Sequence, residues 1–134
     1  MKSLVITLMV LALVGCQANP MKDKPLAINS SFHKVLNLTS GQHIVVDVPQ
    51  YEAASIGSYS VCLYGVAEPN FPFDNFTTGL IQPRDGVVIA VDIIEQSNSQ
   101  AVIQVTIQSV GSGGYRQKDR YRIYGNNLNF IKST

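Results

Sequence analysis

The strongest constraint on this chain is a recurrence of short runs in which apolar and polar residues alternate, each closed by residues that turn a backbone. Alternation with period two sends successive side chains to opposite faces of a strand. The run 43–48 places Ile44, Val46 and Val48 on one face. The run 58–65 does the same with Tyr59, Val61 and Leu63, and the run 101–108 sets Ile103, Val105 and Ile107 against Val102, Gln104, Thr106 and Gln108. Shorter or less regular runs cover 33–38, 75–82, with Phe76, Thr78 and Leu80 on one side, 87–94 and 128–132. The run 115–124 sets Tyr121 and Ile123 against Arg120, Arg122 and Tyr124. Turn chemistry separates them: Thr39-Ser40-Gly41-Gln42, Pro83-Arg84-Asp85-Gly86, the polar stretch 95–100 and Gly125-Asn126-Asn127. Residues 67–74 hold Pro69 and Pro72 and read as a loop, whereas 51–55 fits either a loop or a helical turn. No helical period runs through the chain. The pattern predicts an all-β domain, an antiparallel β-sandwich of seven to eight strands, with a small barrel as the alternative.

The first residues follow another logic. Lys2 precedes an apolar run, 4–14, broken only by Thr7. That is the charge and length of a secretory signal, too short to span a bilayer. The run ends in Leu13-Val14-Gly15-Cys16, which resembles a bacterial lipobox. The resemblance implies cleavage before Cys16 and lipid on Cys16. Gln17, in place of aspartate, then favours the outer membrane; the alternative is an ordinary signal and a soluble periplasmic protein. Residues 1–15 are therefore expected to be a lipoprotein signal, 16–31 a polar tether punctuated by Pro20 and Pro25, and 32–134 the folded domain. An acylated Cys16 leaves Cys62 without a disulfide partner, and Cys62 is expected to pack in the core as a small hydrophobe.

Composition and motifs exclude several kinds of chemistry. The chain has ten lysines and arginines against nine acids. Loss of Lys2 leaves it near neutral, and no basic stripe argues for nucleic acid or for anionic lipid headgroups. His33 and His43 both fall in strand patterns, and with Asp47 they make a poor zinc set; each reads as a strand-surface residue. No strand-to-helix elbow carries a serine nucleophile. Gly111-Ser112-Gly113-Gly114 is followed by neither lysine nor helix, so it is not a phosphate loop. The expectation is a protein that is not an enzyme and holds no cofactor or metal.

What remains is the stretch Ser109-Val110-Gly111-Ser112-Gly113-Gly114-Tyr115-Arg116. It is longer than the two to five residues a hairpin needs. By composition it is a connection between strands. Its hydroxyls, on Ser112 and Tyr115, and its aromatic anchor also suit a surface that reaches into a partner. Three segments, Ser55-Ile56-Gly57-Ser58-Tyr59-Ser60, the run from Asn75-Phe76 to Pro83-Arg84-Asp85-Gly86, and Ser109 to Tyr115, occur in an order that resembles the periplasmic inhibitors of invertebrate-type lysozymes. The resemblance runs from about Gly41 to the C-terminus. The stretch 95–100 departs from it, lacking the aspartate- and glycine-rich character of the family, and so does the lipobox.

The resemblance implies an all-β sandwich whose protruding loop carries a Ser-Gly-x-Tyr motif into a lysozyme cleft. Its positions fall on Ser112, Gly113 and Tyr115, with Gly114 keeping the backbone slim. Arg116 then either meets an acid on the cleft rim or stays a solvated strand edge. The implied partner is lysozyme, with a homodimer also reasonable. The residues themselves leave open a binder of cell-wall glycan, with Phe71, Phe73 and Phe76 lining a site, and a structural envelope lipoprotein. Tyr59 is expected in the core, and Arg84-Asp85-Gly86 is expected to act as a turn.

Overall fold

The computed structural model describes residues 30–53, 55–71, 75–111 and 113–134. The eight strands are β1 (Ser30–Asn37), β2 (His43–Pro49), β3 (Ile56–Tyr64), β4 (Phe76–Asp85), β5 (Val87–Gln96), β6 (Gln100–Gln108), β7 (Arg116–Tyr124) and β8 (Asn127–Ser133). They form two four-stranded antiparallel sheets in simple sequence order, β1-β2-β3-β4 and β5-β6-β7-β8. The sheets face each other, β1 against β5 and β4 against β8. No backbone ladder joins them among the described residues, so the fold is the predicted sandwich and not the barrel.

The inner faces are the ones the alternation marks. Ile44, Val46, Val48, Tyr59, Val61 and Leu63 meet Ile103, Val105, Ile107, Tyr121 and Ile123, all buried. One polar group crosses this core. The Tyr59 hydroxyl, from the first sheet, donates to Asp119 Oδ2 of the second at 2.5 Å and also meets the Tyr121 hydroxyl. Gln117 Nε2 donates to the other Asp119 oxygen at 2.9 Å. Paired in this way, a buried carboxyl group escapes the desolvation cost of an orphan and ties the two sheets in one register. Burial, followed by the hydrogen bond to Asp119, holds the Tyr59 hydroxyl well above the usual tyrosine range; burial likewise raises Tyr121. Lys34 points inward at the edge and donates to the Val91 carbonyl at 2.7 Å, another link between the sheets.

Several expectations need correction. The stretch 83–86 is not a four-residue turn. β4 continues through Pro83, Arg84 and Asp85, paired to Ser58, Gly57 and Ile56, and Gly86 alone lies between β4 and β5. Pro83 is tolerated there because β4 is an edge strand. For 51–55 the sequence leaves two readings open, and residues 51 and 52 form a turn and a bend, which agrees with the loop. A bulge between Leu63 and Tyr64 shifts Phe76 out of phase with Thr78 and sets it edge-on against Tyr64. Cys62 is not in the inter-sheet core. It lies half-buried on the outer face of β3, between Val45 and Gly79 in register, because its neighbours Val61 and Leu63 take the inner face. That outer face is itself partly covered: Val45, Asp47 and Tyr64 are buried, and Phe71 tilts against His33. His33 therefore sits on the strand surface as expected, with its Nδ1 2.9 Å from Asp47 Oδ1.

Candidate functional site

The three motif segments are far apart in sequence, and the fold brings the first, the third and the 83–86 end of the second to one end of the sandwich, while Phe76 lies at the other end, opposite Tyr64. β3 and β4 pair the first with the second, Gly57 opposite Arg84 and Ile56 opposite Asp85. β5 and β6 then pair Val87 with Gln108, and β6 and β7 pair Gln108 with Arg116, across the neck of the third. Gly86 is the hinge between them. Its φ is +139°, and a Cβ there would fall 2.3 Å from the Gln108 carbonyl oxygen. Glycine is required on both counts, by backbone conformation and by the close approach of β6.

Arg84 fixes this end. It is 4% exposed, and its guanidinium donates from Nη1 to Gly86 O at 2.8 Å, from Nε to Ser58 O at 3.0 Å and from Nη2 to Ala53 O at 2.8 Å. Nη2 also lies 3.5 Å from Glu52 Oε2. Glu52 in turn accepts the Ser58 backbone N–H and the Ser58 hydroxyl, each at 2.8 Å. Those two bonds, with Arg84 after them, hold its carboxyl below the usual carboxylate range. A Cβ on Gly57 would sit 2.5 Å from Glu52 Oε2 and 2.9 Å from Arg84 Nη2, so glycine makes room for this pair. Arg84 is thus a buried organiser and not a turn residue. A hollow lined by Ser31, Val48, Gln50, Glu52, Arg84 and Val87 opens beside it.

On this base stands the loop 109–115. Its neck is closed by Ser109 N–H donating to Tyr115 O at 3.1 Å, and Gln108 Nε2 donates to Gly114 O at 3.1 Å. Arg116 Nε donates to Gln108 Oε1 at 2.9 Å, so the Gln108 amide is held from both sides. Gly114 has φ +59°, a left-handed position that favours glycine. The Tyr115 ring lies across Gly113, where a Cβ would come within 2.9 Å of it. A side chain at Gly113 would push the ring away. Tyr115 is 67% exposed, although it belongs to a residue type that usually buries its ring, and Val110 beside it is also exposed.

Of the expected site residues, Gly113, Gly114, Tyr115 and Arg116 come together at the loop. Ser112 and Cys16 lie outside the described residues, as does Phe73. Phe71 and Phe76 do not line a site with the loop; they pack on the outer face of the first sheet. Gln108, Glu52 and Arg84 were missed as positioning residues. The signal for Gln108 was present, since a polar residue at the last strand position before a glycine loop can reach back to cap it.

Comparison with known proteins agrees with this geometry. The family model for periplasmic lysozyme inhibitor of I-type lysozyme, PliI, matches residues 30–134. The crystal structure of the Aeromonas hydrophila PliI is similar at TM-score 0.67 and 35% identity, over 77% of this chain and 88% of that one. A second structure, A. hydrophila PliI in complex with Meretrix lusoria lysozyme, is similar at TM-score 0.66 and 36% identity, over 77% and 84%. No curated protein matches. With parts of all three motifs meeting at one end of a matching sandwich and a family match from β1 to the C-terminus, this chain belongs to the PliI family of periplasmic inhibitors of I-type lysozyme.

Proposed function

We propose that this protein blocks a lysozyme, of the I-type by preference, by inserting the 109–115 loop into the catalytic cleft and so protects peptidoglycan. The observation that carries this reading is Tyr115, a large aromatic exposed at 67% on a loop whose base is rigidly hydrogen-bonded. A glycosidase cleft holds two carboxyl groups flanking the scissile bond. A hydroxyl donated to an ionised carboxylate makes a charge-assisted bond worth about 1.5–3 kcal/mol. Tyr115 supplies one such donor and a flat ring for a sugar subsite; Ser112 supplies the second. Gly113 and Gly114 carry no side chain that would widen the loop. A peptide offers the enzyme no glycosidic bond, so the occupant is not turned over. The A. hydrophila relative crystallised with a lysozyme supports the choice of partner.

The family is periplasmic, and we assign the finer location to lipid on Cys16 at the outer membrane. Membrane fractionation of a Cys16→Ser variant checks it: the variant is expected in the soluble periplasmic fraction. For the loop, titration of I-type lysozyme activity is the test. Ser112→Ala and Tyr115→Ala are each expected to raise the inhibition constant about 10- to 100-fold, with the melting temperature unchanged. Unaltered inhibition by both variants would sink the loop mechanism.

A further inference from the structure

The outer face of the second sheet carries a feature that near-neutral composition conceals. Arg116, Lys118, Arg120 and Arg122 occupy every second position of β7 and therefore share one face. Lys132 of β8 lies opposite Arg120. These five are half of the chain's ten lysines and arginines. Arg116 and Arg120 donate to the amide oxygens of Gln108 and Gln104, at 2.9 and 3.1 Å. Among the described residues none of the five pairs with a carboxylate. In register, Asp92 lies two strands from Arg120 and Glu95 two strands from Arg122, so the acids collect along β5 and the cations along β7 and β8. Beside Arg122 and Lys118 in register, Val102 and Thr106 of β6 are buried.

We propose that this cationic stripe steers the loop onto its target and selects lysozymes whose cleft and cleft rim are acidic. The inference rests on the loop reading above, and continuity gives the occupant. The stripe begins at Arg116, directly after Tyr115, and runs away from the loop in steps of about 7 Å, some 20 Å in all. A cleft lined by carboxylates focuses a negative potential outward. A row of cations with no carboxylate partner among the described residues, leading to the loop proposed to enter such a cleft, orients the inhibitor before contact. Charges of this kind act on the association rate and on its salt dependence, and little on the dissociation rate. Because the screening length is about 8 Å at physiological ionic strength, the residues near the loop act most strongly there. The distant end contributes at low salt. The same stripe repels an enzyme with a basic cleft rim.

The test is rapid-mixing kinetics of the intact inhibitor with an I-type lysozyme, at low salt and near 1 M salt. The variants are Lys118→Glu, Arg122→Glu, the Lys118→Glu/Arg120→Glu double and Tyr115→Ala, each checked for an unchanged thermal midpoint. The double variant is expected to slow association at least fivefold at low salt, with dissociation changed less than twofold, and high salt is expected to erase the difference. Lys118→Glu alone should exceed Arg122→Glu at physiological salt. Tyr115→Ala should act in the opposite manner, speeding dissociation. Association insensitive to charge reversal, while Tyr115→Ala still weakens binding, overturns the stripe and leaves the loop standing. If Tyr115→Ala is inert as well, the loop reading has failed and the stripe falls with it. Binding of the wild type to phosphatidylglycerol vesicles, lost on charge reversal with lysozyme association unchanged, assigns the stripe to a lipid surface and also overturns the proposal.

Discussion

The two ends of the sandwich are built from the same strands and are closed in different ways. At one end the β1–β2, β5–β6 and β7–β8 connections are short turns. Leu38 and Gly41 close the β1–β2 turn through Leu38 N–H to Gln42 O and Gly41 N–H to Leu38 O, each at 2.9 Å. Gln42 Nε2 then donates to Gly125 O at 2.9 Å, and Gln96 Oε1 accepts from Thr39 N–H at 3.1 Å. Side-chain amides stitch the turns of the two sheets to each other. At the other end one buried guanidinium replaces that stitching. Among the described residues Arg84 gathers the carbonyls of Ala53, Ser58 and Gly86, and Gly86 presses against Gln108. Concentrating closure in Arg84 frees the neighbouring β6–β7 connection from any closing duty. It can then be long, glycine-rich and open to a partner. The proposed inhibitory loop sits at the end where closure is delegated to a single buried residue.

The largest test of that contrast compares two glycines. Gly86→Ala is expected to cost about 3 kcal/mol or more, since a methyl group meets backbone that cannot move aside. Gly125 also has positive φ, +56°, but nothing lies within 4 Å of where its Cβ would be. Gly125→Ala is expected to cost only about 1 kcal/mol, and Gly125→Asn less. Denaturant unfolding of both variants measures the gap; equal losses would mean that the two ends are held alike.

The next effect compares two exposed tyrosines. Tyr115, at the loop, and Tyr124, at the turns, are 67% and 59% exposed. Tyr115→Ala is expected to lose about 10- to 100-fold in inhibition, and Tyr124→Ala none. A lysozyme titration that ranked them equally would move the interface away from the loop.

How much of this was readable depends on how local the cause is. The inner faces of β2, β3, β6 and β7 were legible because a period of two is a local property. The stripe on β7 obeys the same rule, and Arg120 and Arg122 share a face in the sequence pattern, but a near-neutral charge summed over the chain conceals the stripe as a whole. Arg84 was not legible. Its burial depends on acceptors at Ala53, Ser58 and Gly86, which adjoin only after β3 and β4 pair. Pro83-Arg84-Asp85-Gly86 misled for a related reason: proline and glycine mark a turn when nothing else binds the residues between them, and here β3 does. Tyr115 and the glycines around it stand out in the sequence because composition alone sets a loop's slimness.

pH separates the ends again, with opposite signs. Glu52, at the loop end, has its carboxyl held below the ordinary value by Ser58 and Arg84. Its stabilisation is complete above the unfolded-state value, about 4.3, and is lost as pH falls through the lower folded value. Tyr64, toward the turn end, is pushed up to about 12 by burial. Its stabilisation is intact below about pH 10 and is lost as pH rises through about 12, while Tyr59 and Tyr121, held higher still, keep their protons in the folded state. Acid is therefore expected to expose the amides around Ser58 and the loop neck first, and base those around Tyr64. Hydrogen exchange at acid and alkaline pH checks the order. Glu52→Gln should flatten the acid branch alone.

The smallest effect compares the two glutamine clamps. Gln42 bridges turns of opposite sheets, and Gln108 bridges the neck of the loop to Arg116. Both amides are solvent-accessible, so each hydrogen bond is worth about 0.5–1 kcal/mol. The consequences still differ, because that energy is stored in different places. Gln42→Ala is expected to lower the melting temperature by a few degrees and leave inhibition unchanged. Gln108→Ala leaves the sheets paired but releases Gly114 and Arg116, so the loop must be ordered again on binding. Inhibition is expected to weaken about three- to fivefold, with little change in melting temperature. If Gln108→Ala destabilised the fold as Gln42→Ala does and spared inhibition, the loop would be ordered by its partner, and its neck would matter only as a seam between β6 and β7.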